Sequence, residues 1–482
     1  LDDERAARLA AEHEFLHDRI TRELRTATTR KIAVFLYESP EQKGRLIGAA
    51  GTNLAKPWMR QVHCNLSDVD AVLKHELVHV IAAEFGFPLF RVSVNPGLVE
   101  GLAEAIERTA YDETLHRLSA QILTLGLGPD VESLFSIGGF MTAQPGVGYT
   151  LAGSFCRYLL DNYGIRRFKR LYRSGDFASN YGRTLPQLVG DWKRFLEGIQ
   201  PTPDELEKAA YLFKRPTIFG KECARVIANL NKKTGEHLRE KRYAEALESS
   251  GTSLSLTVTP GAVIQHATAL FRLGKSPETI RFASDALRDS SMAHTLLPLH
   301  LILGDAYWNI GDRDRAGIMY RRLRSLSLNA WLNEACETRI AALTDDHNFT
   351  LREYFAGDLS DTLRLQLLQS LPPTKKPGSI AGYLIGRELT IQERWPEALE
   401  VLNAVPRMKS GYLEFLRQKR IGIVNFRLDS FQQAKIYFWQ SLNYTPNNAA
   451  ILEIDEWLGR AEWMAGWAPA EAIRGSDHSL SP

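Results

Sequence analysis

No apolar run in the chain approaches the ~20 residues that a membrane-spanning helix needs, so the sequence predicts no transmembrane segment. Cysteine is sparse. Cys64, Cys156, Cys223 and Cys336 lie far apart and form no C-x-x-C, which excludes both a zinc ribbon and a disulfide scaffold. Charge of one sign is also missing: 59 basic against 57 acidic residues leave a net charge of +2. The summed field therefore gives no reason to expect nucleic acid or an anionic membrane as partner. The one basic run, Ile165 to Arg173 (I-R-R-F-K-R-L-Y-R), reads as a solvated helix face. The chain opens at Leu1 with no signal-like apolar core. The expectation is that an upstream segment carried any address, so the compartment is not readable from these residues.

What is present is an ordinary globular composition, 44% hydrophobic and 24% charged over 482 residues, long enough for two or three units each with its own core. Residues 3 to 28 have helical periodicity, and Lys31 to Tyr37 read as a strand ended by Ser39-Pro40. A Gly-rich turn and a second strand, Gln61 to Leu66, lead to Ser67, an N-cap with Asp68 and Asp70 in the first turn of a helix running to Gly86. Further helices are expected over Leu98 to Tyr111 and Thr150 to Tyr163, separated by a loop rich in Gly and Pro. Pro201 to Pro203 (P-T-P) reads as a linker and marks a domain boundary.

Beyond the linker, small residues recur in a fixed frame. Ala316 has Gly304 twelve positions before it, Tyr307 nine before, Gly311 at a turn and Tyr320 four after. Ala398 with Gly386, and Ala434 with Gly422, Phe438 and Pro446, repeat the arrangement. Gly386 to Gly422 is 36 residues and Ala267 to Gly304 is 37, close to the ~34 of a tetratricopeptide unit. This half resembles a tetratricopeptide array, with weaker units near Ala246 and Ala267 and a poor match around 335 to 375. Small residues suit helices that approach closely within a hairpin. An irregular helical bundle is the alternative.

The chemistry-bearing segment is H-E-L-V-H, His75 to His79. Residues four apart share a helix face, so the two imidazoles can meet one zinc ion, with Glu76 beside that face as a proton acceptor. The pentapeptide alone decides little, because H-E-F-L-H also occupies His13 to His17. Context separates the copies. The second is surrounded by Val72, Leu73, Leu77, Val78, Val80, Ile81 and Ala82, as a helix buried through a site should be. The first stands among Glu12, Glu14, Asp18 and Arg19 and reads as a charged helix with two solvent-facing histidines. Glu100 follows His79 by 21 residues, room for a turn and an antiparallel return that delivers a third ligand. The same offset from His17 reaches Glu38, at a strand end with no helix to hold it.

H-E-L-V-H followed by N-P-G-L-V-E-G-L-A-E (Asn95 to Glu104) resembles the gluzincin, thermolysin-like zinc peptidases. The resemblance implies that Glu100 is a metal ligand and that Glu104 orients a zinc histidine; a surface acid is the other reading of Glu104. Gly101 and Ala103 are small where helices would cross near the metal. The segment Gly148 to Gly164 is similar to the family's next helix, whose opening tyrosine faces the metal. Tyr149 is thus the candidate oxyanion donor, against plain packing at a helix start. Tyr158 and Tyr163 read as packing residues. Aminopeptidases of this class carry G-x-M-E-N before the metal helix, whereas this chain has G-A-A-G-T-N, Gly48 to Asn53, without an acid. Endopeptidase action is therefore the expectation. That segment is either an edge strand that pairs with a peptide backbone or a glycine turn. Gly138 to Gly148 is either a lid or a connection.

The expected architecture is mainly α: an α+β zincin-like peptidase domain with a small sheet over 1–203, an α-helical tetratricopeptide solenoid over 204–470, and a flexible tail over 471–482. The expected activity is zinc-dependent peptide hydrolysis, with a peptide or protein substrate and a protein partner engaged by the repeats. A catalytically inactive peptidase-like scaffold is the alternative. Bacterial envelope proteases join a metallopeptidase to such repeats, which suggests an envelope or periplasmic location, but the 21-residue spacing to Glu100 departs from their best known subtype.

Overall fold

The computed structural model describes residues 3–28, 30–88, 91–214, 224–289, 292–371 and 380–466. Cys223 and the expected tail lie outside the described residues. The chain is mainly helical and divides into two units: Leu1–Pro201 with Gly459–Pro482, and Thr202–Leu458.

In the first unit, helix α1 (Asp3–Glu23) buries Ala11, Phe15, Leu16 and Ile20 along one stripe. Strand β1 (Ala33–Tyr37) is followed by helix α2 (Pro40–Ile47), then by strands β2 (Leu54–Lys56) and β3 (Gln61–Asn65). The three form a sheet in the order β1-β3-β2. β1 lies parallel to β3 with Ala33 opposite Gln61, and β2 lies antiparallel with Leu54 opposite His63. β2 is thus an edge strand. Helix α2 replaces the expected turn, because Ser39 caps it by accepting from the Gln42 N–H and Pro40 sits in its first turn. Gly48 closes it in the left-handed region at φ 76°.

Helix α3 (Val69–Ala82) carries the H-E-L-V-H segment and packs against β2 and β3. Its cap is Asp68, whose side chain makes no capping bond; the expected cap, Ser67, instead donates to the Asp68 carboxylate. Helix α4 (Pro96–Glu107) starts at Asn95, whose Oδ1 accepts from Leu98 N–H. It ends before the predicted Tyr111 because Arg108 turns left-handed at φ 72° into the short hairpin of β4 (Thr109–Ala110) and β5 (Glu113–Thr114).

Helix α5 (Leu115–Thr124) leads to a segment that is neither a long connection nor an open loop. It holds a short 3₁₀ turn, Val131–Phe135, and helix α6 (Ile137–Thr142) before helix α7 (Pro145–Tyr163) begins. Helices α8 (Ile165–Ser174), α9 (Phe177–Tyr181) and α10 (Leu185–Glu197) complete the unit. α4 and α7 cross at close range. A Cβ on Gly101 would lie 2.7 Å from Cys156 Sγ and 2.8 Å from Ala152 O, and one on Gly153 would lie 2.5 Å from Glu104 Cβ. The small residue at Gly101 therefore serves contact with α7.

The second unit is an array of helical hairpins. Five of them among the described residues share one turn: Lys241, Gly274, Gly311, Glu393 and Asp429 have positive φ, and each precedes the next helix start by two residues. Those helices begin at Tyr243, Ser276, Arg313, Trp395 and Phe431. Three residues further on stand Ala246, Thr279, Ala316, Ala398 and Ala434, all fully buried. The frame glycines sit where the paired helices touch: a Cβ on Gly304 would meet Tyr320 at 2.4 Å, on Gly386 Leu402 at 2.4 Å, and on Gly422 Phe438 at 2.6 Å. This recurrent geometry is that of a helical repeat rather than an irregular bundle. The poorly matching stretch holds the helices Ala330–Leu343, Asn348–Ala356 and Asp361–Gln369, which interrupt the hairpin frame.

Candidate metal centre

His75 and His79 project from one face of α3, with ring centroids 4.8 Å apart and planes at 78°. Glu100, on the second turn of α4, faces both: its Oε2 is 3.4 Å from His75 Nε2 and 3.6 Å from His79 Nε2. One ligand atom from each residue lies within 4.8 Å of the others, and no other group of three potential ligands does so among the described residues. Glu104, one turn further along α4, has its Oε1 3.6 Å from His75 Nδ1. The ring is thus flanked by a carboxylate on each nitrogen. His79 differs, because its Nδ1 is buried without a hydrogen-bond partner.

Three carboxylates crowd two imidazoles here. Burial opposes charge on His75, but Glu100, Glu104 and Glu76 outweigh it and hold its pKa above the ordinary value. Burial likewise pushes Glu100 upward, yet the hydrogen bonds and charges of His75 and His79 bring it down to about 2. Burial raises Glu76 and Glu104, in each case against the pull of the histidines. A shielded site with two imidazoles and an ionised carboxylate converging on one point has the donor chemistry of a zinc site.

Around this point stand the other expected residues. Glu76 accepts a hydrogen bond from the backbone of Ala55, in edge strand β2. Tyr149, on the second turn of α7, hydrogen-bonds Glu100, and burial with the nearby carboxylates raises its hydroxyl to about 12. Its ring also packs on Phe140 of α6, 5.5 Å between centroids. Of the two readings of Gly48 to Asn53, the structure has the turn. The edge strand begins just after it, at Leu54, and Asn53 anchors it through the Asn65 N–H and Lys43, each at 3.1 Å. Sequence reasoning missed Ala55, since a three-residue strand carries no alternation to read.

The H-E-F-L-H copy is not the solvent-facing pair the sequence suggests. Glu12 is only 4% exposed and pairs with Arg460 at 2.9 Å. His17 Nε2 hydrogen-bonds Thr28 at 2.6 Å, and burial lowers the pKa of His13 to about 4. No carboxylate completes a metal group there among the described residues.

Fold and cluster together define a mainly helical protein with a helical-repeat half and a His-His-Glu group in its other half. No protein-family model matches the chain, and no curated protein matches it. Two solved tetratricopeptide structures show a loose likeness. The TPR2AB domain of yeast Sti1, solved as a complex with pHSP90, is 14% identical over 49% of this chain and 99% of its own, with a TM-score of 0.22. A tetratricopeptide repeat protein from Parabacteroides merdae is 12% identical over 57% of this chain and 98% of its own, at 0.24. The repeat assignment rests on the hairpin packing described above.

Proposed function

We propose that the first unit is a zinc-dependent peptidase of the gluzincin type, acting as an endopeptidase, with the repeat unit engaging a protein partner or substrate. The observation that carries this reading is the convergence of His75, His79 and Glu100 within 4.8 Å, with Glu76 beside them on the same helix. His75, His79 and Glu100 would hold the ion. Bound zinc supplies Lewis acidity to a carbonyl oxygen and lowers the pKa of water.

The residues of the chain do the rest. Glu76, raised by burial, accepts the proton of the attacking water and passes it to the leaving amine. The Tyr149 hydroxyl, poised over Glu100, donates to the oxyanion as it develops. Glu104 holds the His75 ring through Nδ1. The β2 edge offers its backbone to an extended peptide, so that main-chain bonds position the scissile group whatever its side chains. An extended chain can pass along such an edge, which supports endopeptidase action.

A second reading is a protein-interaction scaffold without turnover. The five hairpins favour it, because helical repeats build extended binding surfaces. Digestion of a peptide library with and without chelator, together with metal analysis of the purified chain, decides between the two. Chelator-sensitive cleavage with about one zinc per chain supports the peptidase. Bound zinc without cleavage supports the scaffold, and a zinc-free protein overturns the metal site.

A further inference from the structure

A cavity of about 550 Å³ opens in the first unit where α1 and α7 end and α8 begins. Its size is that of a small-molecule site. Leu24, Ile106, Leu160 and Tyr163 give it an apolar and aromatic wall, while Glu23, Arg25, Arg157 and Arg166 supply its charges. Arg166 is the first arginine of the basic run, which the sequence presents only as a solvated helix face.

The acid in this wall is already satisfied. Glu23 Oε1 accepts from Arg108 at 2.8 Å and from Arg157 at 2.7 Å, and Arg157 also pairs with Asp161. Arg25 and Arg166 have no carboxylate partner among the described residues. Lys169 Nζ donates to the Arg25 carbonyl at 2.8 Å and so ties that residue to α8. Arg25 lies in the left-handed region at φ 47°, where glycine costs least. The fold draws no ion pair from an arginine placed there. Two guanidinium groups on one cavity thus keep their charge for a guest, and guanidinium holds phosphate through paired N–H···O bonds.

We propose that this cavity binds a phosphate monoester with an apolar or aromatic body. A dianionic phosphate matches both unpaired arginines, whereas a carboxylate would neutralise only one. The leucine, isoleucine and tyrosine wall takes the organic part. None of the lining residues belongs to the His75, His79 and Glu100 cluster, so the proposal holds whether or not the chain hydrolyses peptides.

Calorimetric titration of the full chain with phenyl phosphate tests it, with inorganic phosphate, benzoate and phenol as the other arms. Phenyl phosphate is expected to bind most tightly, because it alone supplies both the dianion and the ring, and added salt should weaken it. Arg25→Gly suits the left-handed backbone and should leave thermal stability at the wild-type level, yet weaken phenyl phosphate binding at least about tenfold. Arg166→Gln, at an exposed position, should weaken it by a similar factor with an unchanged circular dichroism spectrum. Glu100→Gln, an isosteric change in the metal cluster, should leave it unaltered. Absence of phenyl phosphate binding, or binding indifferent to both arginine substitutions, overturns the proposal. Loss of binding in Glu100→Gln overturns it by placing the phosphate on the metal cluster, and benzoate bound as tightly as phenyl phosphate overturns it in favour of a carboxylate.

Discussion

Glu104 Oε1 stands 3.6 Å from His75 Nδ1, on the opposite side of the ring from Glu100. One turn of α4 thus supplies a carboxylate to each nitrogen of the ring. A carboxylate in that position fixes the tautomer and raises the basicity of a ligating imidazole. Glu104→Gln is expected to lower zinc affinity by about 10- to 100-fold while leaving the helical spectrum intact. Titration against a chromophoric chelator measures it, and an unchanged affinity would assign Glu104 to packing alone.

Glu76 shares the helix with the histidines, and in the proposed site it would not hold the ion. Glu76→Gln keeps the volume and the contact with the Ala55 backbone, while removing the basic oxygen pair. Zinc content should stay at the wild-type level and peptide hydrolysis should fall by about 10²- to 10⁴-fold. A variant with full activity would falsify the proton-transfer role.

The convergence of His75, His79 and Glu100 was legible because it depends on spacing: four residues place two histidines on one face, and the later offset allows an antiparallel return to Glu100. The hairpin frame was legible for a similar reason, since Gly304, Gly386 and Gly422 each mark a contact of about one side chain's depth. What escaped reading depends on partners far along the chain. Glu12 looks solvated until Arg460 pairs with it from 448 residues away. The Ser39-Pro40 pair ends a strand and also opens α2, and only the burial of Lys43 at its centre shows that the helix forms. The Ala55 contact with Glu76 arises from sheet order, which puts β2 outside β3 although it precedes it in the chain.

Gly101 permits the crossing that brings α4, and with it Glu100, to the histidines. Gly101→Val adds atoms where Cys156 Sγ and the Ala152 carbonyl already lie within 2.8 Å of the missing Cβ. Overpacking of this kind costs about 1–3 kcal/mol. The variant should therefore unfold at lower urea concentration and also bind zinc more weakly, because the added bulk pushes α4 from α7. Gly422→Val in the repeat unit, where the Cβ would meet Phe438, should lower stability by a comparable amount and leave zinc binding unchanged.

His116 is expected to make the first unit sensitive to acid at a point other than the His75, His79 and Glu100 cluster. Its Nδ1 is 2.8 Å from the Ser154 hydroxyl, which also accepts from the Trp192 indole at 3.1 Å. Ser154 is fully buried, and burial depresses the pKa of His116 from 6.5 to about 4. The unfolded chain therefore binds a proton that the folded chain refuses. Stability from the neutral ring is fully present above pH ~6.5 and declines as pH falls toward ~4, where the folded form also protonates. The loss amounts to about 3 kcal/mol over that window. Urea titrations of wild type and His116→Asn at several values across this range should show a shallower acid limb in the variant. Parallel curves would place the acid sensitivity at another histidine, of which His13, also lowered to about 4, is the next to substitute.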